Sequence, residues 1–280
     1  MSIPSKSTTW SEEREFRLWQ KSKKLTTQEL LDRLYHKKED IRYAAAKELQ
    51  IRGENITFLK ATELCEHPQA HFREVGAFLL GQLGTPTFPF AKDSIPLLIK
   101  LFQFDESGEV RATAAASMGH LRDEEVIPTL VQGIYDSSCE VRQNVAFALG
   151  AFHGNAKIVA PLLLLLKDTA PDVRNWAACG LRYCLCEEPS IADGLVEVLN
   201  DRCEEVRREA ICALAQLHDQ RVFHALKKEL NSEPVFDEII EAAGNLQDVR
   251  LLGRLQQLRE AWKDDIPQEL TIAITKLEGS

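Results

Sequence analysis

The residues most able to do chemistry in this 280-residue chain are its seven cysteines and seven histidines. Cys179, Cys184 and Cys186 crowd into the run CGLRYCLC, with Cys203 and Cys212 a short distance on. Thiols this close could hold a metal or exchange disulfides. A structural zinc site, however, prefers CxxC pairs or Cys/His pairs at set spacing. Neither Cys184-Leu-Cys186 nor the five-residue step from Cys179 to Cys184 supplies one. The thiols therefore read as packing residues, with redox sensitivity as the alternative. His153-Gly154 and His218-Asp219 stand in turn-like surroundings and read as surface histidines. No Gly-rich phosphate loop or GxSxG elbow occurs. No catalytic residue, metal or cofactor is expected.

What would position such residues is a repeat. An apolar residue, an Arg and small residues at helical spacing recur, ending near Leu-Gly. The copies are IRYAAAKELQ from Ile41, FREVGAFLLG from Phe72, VRATAAASMG from Val110, VRQNVAFALG from Val141, VRNWAACGLR from Val173 and VRREAICALA from Val206. Their arginines, Arg42, Arg73, Arg111, Arg142, Arg174 and Arg207, are separated by 31, 38, 31, 32 and 33 residues. Two copies without the Arg follow from Val235 and Ile266. Before each copy runs a second segment with apolar residues at i, i+3, i+4 and i+7, as in SIPLLIKLFQF from Ser94 and KIVAPLLLLLKD from Lys157. Pro96, Pro128 and Pro161 stand near the starts of three of these helices, where a missing N–H costs nothing. The unit is helix, turn, helix, and no segment alternates like a strand. Ala45, Gly76, Ala114, Ala177 and Ala210 share one register position, narrow enough for helices to approach closely.

These xVRxxAAxALG copies, covering almost the whole chain, resemble the HEAT-repeat family, particularly the short HEAT-like repeats of phycobilisome lyases. The resemblance implies an all-α, right-handed superhelical solenoid of about eight hairpins. Residues 1–25 would form an N-terminal capping helix, and 26–280 a single continuous array. In the family an acidic residue two before the Arg helps form a ladder between repeats; Asp40, Glu109, Glu140, Asp172 and Glu205 match it, and His71 departs from it. The ladder is read as packing rather than a ligand site. Enzymes of the family leave marks that can be checked. None of the seven histidines is followed by Glu, so the iron-holding pairs of HEAT-like deoxyhypusine hydroxylases are missing. A DNA-glycosylase-like enzyme needs a basic cleft, and a lyase-like chromophore handler is not excluded by repeat similarity. Fold does not fix function.

Second helices line the inner, concave face in this family. Counting from the apolar residue of each copy as zero, positions 4, 8 and 11 face the core, and positions 3, 6 and 10 point largely away. The latter hold Val75, Phe78 and Gln82; Thr113, Ala116 and His120; Asn144, Phe147 and Ala151; Trp176, Cys179 and Tyr183; Glu209, Cys212 and Gln216. Phe78, Phe147, Trp176 and Tyr183 are large aromatics where a solvated face would carry Lys or Glu. With Asn144 and Glu209 they make a candidate partner-binding surface; the alternative is burial between repeats. The loop GTPTFPFAKD from Gly84 would either pack on the ridge or cap the groove.

Charge is uneven. Residues 1–60 carry 13 basic and 9 acidic side chains, a net of +4, and the other 220 carry 21 and 34, a net of −13. An acidic surface suits a basic protein partner and makes nucleic acid an unexpected one. The N-terminus lacks the apolar core of a secretory signal, the longest apolar run is too short for a bilayer, and an odd number of cysteines fits reduced thiols. The expectation is a cytoplasmic protein with no membrane partner. The leading reading is a non-catalytic protein-binding module. The resemblance extends to HEAT-repeat proteins associated with Rhs toxin loci, which implies an immunity role against a basic toxin domain.

Overall fold

A computed structural model describes residues 9–186, 188–263 and 266–279. The described residues hold α-helices and short 3-10 turns and no strand. The helices are α1 (Thr9–Ser22), α2 (Thr27–Arg33), α3 (Glu39–Arg52), α4 (Asn55–Cys65), α5 (Ala70–Gln82), α6 (Ala91–Phe104), α7 (Gly108–Leu121), α8 (Ile127–Gln132) and α9 (Cys139–Leu149). They continue as α10 (Val159–Leu165), α11 (Pro171–Tyr183), α12 (Pro189–Glu197), α13 (Glu204–Gln216), α14 (Phe223–Leu230), α15 (Asp237–Leu246), α16 (Leu252–Trp262) and α17 (Gln268–Glu278). From α2 onward they pair into eight hairpins, an even-numbered first helix followed by an odd-numbered second. The chain divides into two compact units, Met1–Ala148 and Leu149–Ser280.

In the first unit α1 lies on α3, and α3, α5 and α7 stack in series, each backed by its own first helix. In the second, α11, α13, α15 and α17 stack in the same way. Fully buried leucines seal each layer: Leu30, Leu49, Leu64, Leu79 and Leu98 in the first unit, Leu162, Leu195, Leu214, Leu226 and Leu255 in the second. Each contributes about 1.5–3 kcal/mol by leaving water. The small residues do what their register demanded. A Cβ on Gly76 would stand 2.8 Å from the Ala61 carbonyl oxygen and from Cys65 Sγ, so α5 could not reach α4 with a larger residue. Between successive second helices, a Cβ on Gly81 would stand 2.6 Å from Ser117 Cα.

Pro96 differs from expectation. Helix α6 begins at Ala91, so Pro96 lies inside it rather than at its start. The loop before α6 packs: Phe90 stacks on Phe58 of α4 at 4.9 Å between centroids.

The arginine ladder also differs, and instructively. Each Arg first ties down its own turn. Nη1 of Arg42, Arg73, Arg111, Arg142, Arg174 and Arg207 donates to the carbonyl six residues back, at 2.8–3.0 Å. The rest of the guanidinium then reaches into the next repeat. Arg73 forks onto Asp105 (2.6 and 2.8 Å), Arg111 onto Asp136 (2.8 and 2.9 Å) and Arg174 onto Asp201 (2.7 Å twice). The ladder carboxylate is therefore the aspartate six before the following Arg, not the acid two before it. That aspartate also accepts the backbone N–H two residues on, as from Ser107, Ser138 and Cys203, which closes the turn. Only a residue in the turn can face backward to the preceding Arg while capping its own loop. Of the acids expected to form the ladder, Asp40 pairs with Arg14 of α1 instead.

Candidate functional site

The six residues singled out from the sequence are all half-buried, and they fall into two sets. Phe78, Asn144 and Phe147 belong to the first unit; Trp176, Tyr183 and Glu209 belong to the second.

In the first unit Tyr43 packs its ring edge-on against Phe78 at 5.5 Å and donates its hydroxyl to Glu74 at 2.8 Å. Burial pushes the Glu74 carboxyl up; the Tyr43 bond opposes this, and the charges of Glu39, Glu109 and Glu140 add to it. These carboxylates, expected as ladder members in two cases, thus gather around Glu74. Phe147 meets His120 edge-on at 5.4 Å, and burial holds that imidazole below its ordinary value. Asn144 donates its amide to the Glu140 carbonyl at 2.9 Å.

In the second unit Arg182 links two of the chosen residues. Its guanidinium lies 5.1 Å from the Tyr183 ring and 3.4 Å from a Glu209 oxygen. Burial raises the Glu209 carboxyl against the pull of Arg182, and raises the Tyr183 hydroxyl. Beside them runs a groove of about 580 Å³ lined by Arg182, Tyr183, Gln216, His218, Glu241, Asn245, Gln247 and Lys276. Tyr183, Gln216, Asn245 and Lys276 occupy position 10 of four successive second helices. Lys276 Nζ donates to Asn245 Oδ1 at 2.8 Å. His218 and Gln247 end their helices in the left-handed region, φ 55° each, which is uncommon without glycine.

Three positions expected to face away are buried: Val75 at 0%, Cys212 at 2% and Ala116 at 9% exposure. A second helix in a stack has neighbours on both sides, so its flanks close along with its core stripe. Cys65, Cys179 and Cys212 have thiols pushed up to about 12 by burial, the state of packing thiols rather than nucleophiles. Among the described residues no three His, Cys, Asp or Glu side chains converge as a metal set would. His153 and His218 are exposed.

One feature escaped the sequence reading. Phe104 and Tyr135, each 79% exposed, end two successive first-helix segments, and with Gln103 and Gln132 they line a shallow groove of about 380 Å³. The signal was present as an aromatic directly before the ladder aspartate in both copies.

A stack of helical hairpins joined by an Arg–Asp ladder defines the α-solenoid class. Profiles described as HEAT repeats match residues 59–138 and 127–182, and one described as PBS lyase HEAT-like repeat matches 206–232. The chain belongs to the HEAT-repeat family. Over 275 residues it is 37% identical to Protein YibA of Escherichia coli K12, covering 95% of this chain and 96% of that one. The X-ray structure of the E. coli YibA protein aligns over 100% of both chains with a TM-score of 0.77 and 34% identity. A shorter match, 30% identical over 112 residues, is to deoxyhypusine hydroxylase of Candida albicans; it spans 40% of this chain and 33% of that one. The complex of CpcE and CpcF of phycocyanin lyase from Nostoc shares the fold, with a TM-score of 0.50 and 19% identity over 100% of this chain and 98% of that one. No helix among the described residues is long and apolar enough to cross a membrane.

Proposed function

We propose that this chain is a non-catalytic protein-binding module whose second-helix faces receive the partner. The observation that carries the reading is the groove of the second unit. It offers one long polar or aromatic side chain per repeat, Tyr183, Gln216, Asn245 and Lys276, at a repeating register. Such a row suits a polypeptide, whose own amides and side chains also repeat, better than a compact small molecule. HEAT repeats serve widely as interaction scaffolds, and the continuity of the period from Arg42 to Arg207 supports residues 26–280 acting as one array. The anchors on this reading are Phe78, Asn144 and Phe147 in the first unit and Trp176, Tyr183 and Glu209 in the second.

The more specific form is an immunity protein that binds and neutralises a basic Rhs-type toxin domain in the cytoplasm. It rests on the resemblance to HEAT-repeat proteins of toxin loci and on the net charge of −9. The test is an affinity pull-down of the tagged chain from its native cell, with an inactive form of any adjacent toxin-like gene expressed. A stoichiometric basic partner that survives moderate salt is the expected result. Phe147→Ala and Trp176→Ala should weaken capture at least about tenfold, as interface hot spots do. Capture of a coloured ligand or a nucleic acid with no protein partner would overturn the reading. Loss of stability with unchanged capture would make both aromatics packing residues.

A further inference from the structure

One step of the ladder has no carboxylate. Where Asp105, Asp136 and Asp201 face the preceding Arg, the step from Arg42 presents His67. His67 keeps half of the aspartate's work: its Nδ1 accepts the Gln69 N–H at 3.1 Å, as Asp105 accepts that of Ser107. It cannot do the other half, because an imidazole offers no second oxygen. Arg42 is 5% exposed, its Nη1 holds the carbonyls of His36 and Lys37, and its Nε is buried without a partner.

The surroundings are short of negative charge. Helix α5 has no acidic residue in its first turn, whereas α3, α7 and α9 each have at least one, and Gln69 gives it no side-chain cap. His71 stands there instead. Phe72 gathers the basic groups: His67 lies 4.4 Å, His71 4.1 Å and Arg42 5.8 Å from its ring. Burial, Arg42 and His67 together hold the His71 imidazole low, which shows how closely these groups face one another. The nearby carboxylates are engaged. Glu63 accepts from Tyr35 at 2.9 Å and from Lys60 at 2.6 Å, Glu66 accepts from Lys100 at 2.8 Å, and Asp105 belongs to Arg73. His71 is exposed and His67 half-buried, so the cluster opens to solvent.

The geometry points to an oxyanion site of the phosphate class, formed by Arg42, His67, His71 and the free N–H groups that begin α5. Two phosphate oxygens would replace the absent aspartate at Arg42, and the imidazoles and helix N-terminus would take the others. Two imidazoles beside the guanidinium favour phosphate over a monovalent carboxylate. The site is independent of the second-helix faces.

The test uses the full chain at pH 6, on the acid side of the ordinary imidazole value, where an anion seated beside the rings favours their charged forms. Thermal unfolding is followed against inorganic phosphate, acetate and chloride at equal ionic strength. Phosphate should raise Tm by about 2–4 °C at several-fold its Kd, the shift growing with the logarithm of its concentration, and chloride should not. His67→Asp supplies the missing carboxylate from the ladder's own pattern. It should raise Tm without phosphate and abolish the phosphate response. In the parent, phosphate should shift the ring NMR signals of His67 and His71 before those of His153 and His218. An undiminished phosphate response in His67→Asp overturns the site, as does chloride matching phosphate or unmoved His67 and His71 signals. Acetate matching phosphate overturns the assignment to phosphate.

Discussion

Asp105→Asn isolates what the ladder is worth. Asparagine keeps the shape of the turn and one oxygen for the Ser107 N–H, but removes the charge that faces Arg73. The pair is nearly closed to solvent, with 11% of the Arg73 side chain and 4% of the Asp105 side chain exposed. Two charge-assisted bonds of 2.6 and 2.8 Å join them. Breaking a buried pair by removing one partner costs about 3–5 kcal/mol. Arg73 retains its bonds to the carbonyls of His67 and Pro68, which softens the loss. We expect about 2–4 kcal/mol in urea unfolding, or about 4–10 °C in Tm. Burial raises the Asp105 carboxyl, but the Arg73 and Ser107 bonds and the charges of Arg73 and Arg111 outweigh it and hold the group below its ordinary value. A lowered folded value means stability that is fully present above the unfolded value near ~3.9 and lost as pH falls through the folded one. The difference between parent and variant should therefore be constant near neutrality and shrink only below about pH 4. Hydrogen exchange should place the loss in α5, α7 and the turn before α7. A variant within about 0.5 kcal/mol of the parent at pH 7, with an unchanged m-value, would show that the ladder follows packing and does not hold it.

Gly81→Ala should cost about 2–4 kcal/mol by chemical unfolding, because its Cβ meets Ser117 Cβ and Cα as well as Oγ, and rotation of the serine side chain moves only the last of these. An iodoacetamide time course on the native chain should modify exposed Cys139 first and leave Cys65 and Cys212 intact until unfolding, since burial hides those thiols and raises them to about 12; half-buried Cys179, also raised to about 12, should label between the two. Early labelling of Cys212 would contradict the packing of α13. Phe104→Ala and Tyr135→Ala should leave urea unfolding within about 0.5 kcal/mol of the parent, because both rings are 79% exposed; a larger loss would mean that the rings pack.

Much of the fold was legible because the repeat writes the same local physics several times. The Arg, the small residue and the apolar stripe each recur in fixed register, and the structure places Ala45, Gly76, Ala114, Ala177 and Ala210 where close approach needs them. The partner of the Arg was misassigned although it also recurs, as Asp105, Asp136, Asp168 and Asp201. The acid two residues before the Arg is nearer in sequence, but the bond runs to the following turn, and spacing within one copy cannot show a contact between copies. The surface was harder still. Positions 3, 6 and 10 lie roughly 240–300° round a helix from position zero, which is solvent for a lone amphipathic helix but contact for one flanked by neighbours. Val75 is closed for that reason, and Phe78 and Phe147 are partly covered by Tyr43 and His120.

The ladder also makes the repeats interchangeable parts. A standard hairpin carries an aspartate that answers the repeat before it and an arginine that addresses the repeat after it, as Asp105 answers Arg73 while Arg111 addresses Asp136. Excision of one period, residues 105–135, would bring Arg73 to Asp136 with the same chemistry on both sides of the join. Lengthening by the same period would extend the chain of matched ends. Such a coupling lets a gene change the number of its repeats in single steps, each step leaving a valid connection, so the length of the scaffold can be adjusted to a partner's size without new interfaces being invented. The Arg42 step, with its histidine, and the Arg207 step, where Leu230 stands in the aspartate's place and Glu229 lies 3.9 Å away, would not accept a standard part unaltered.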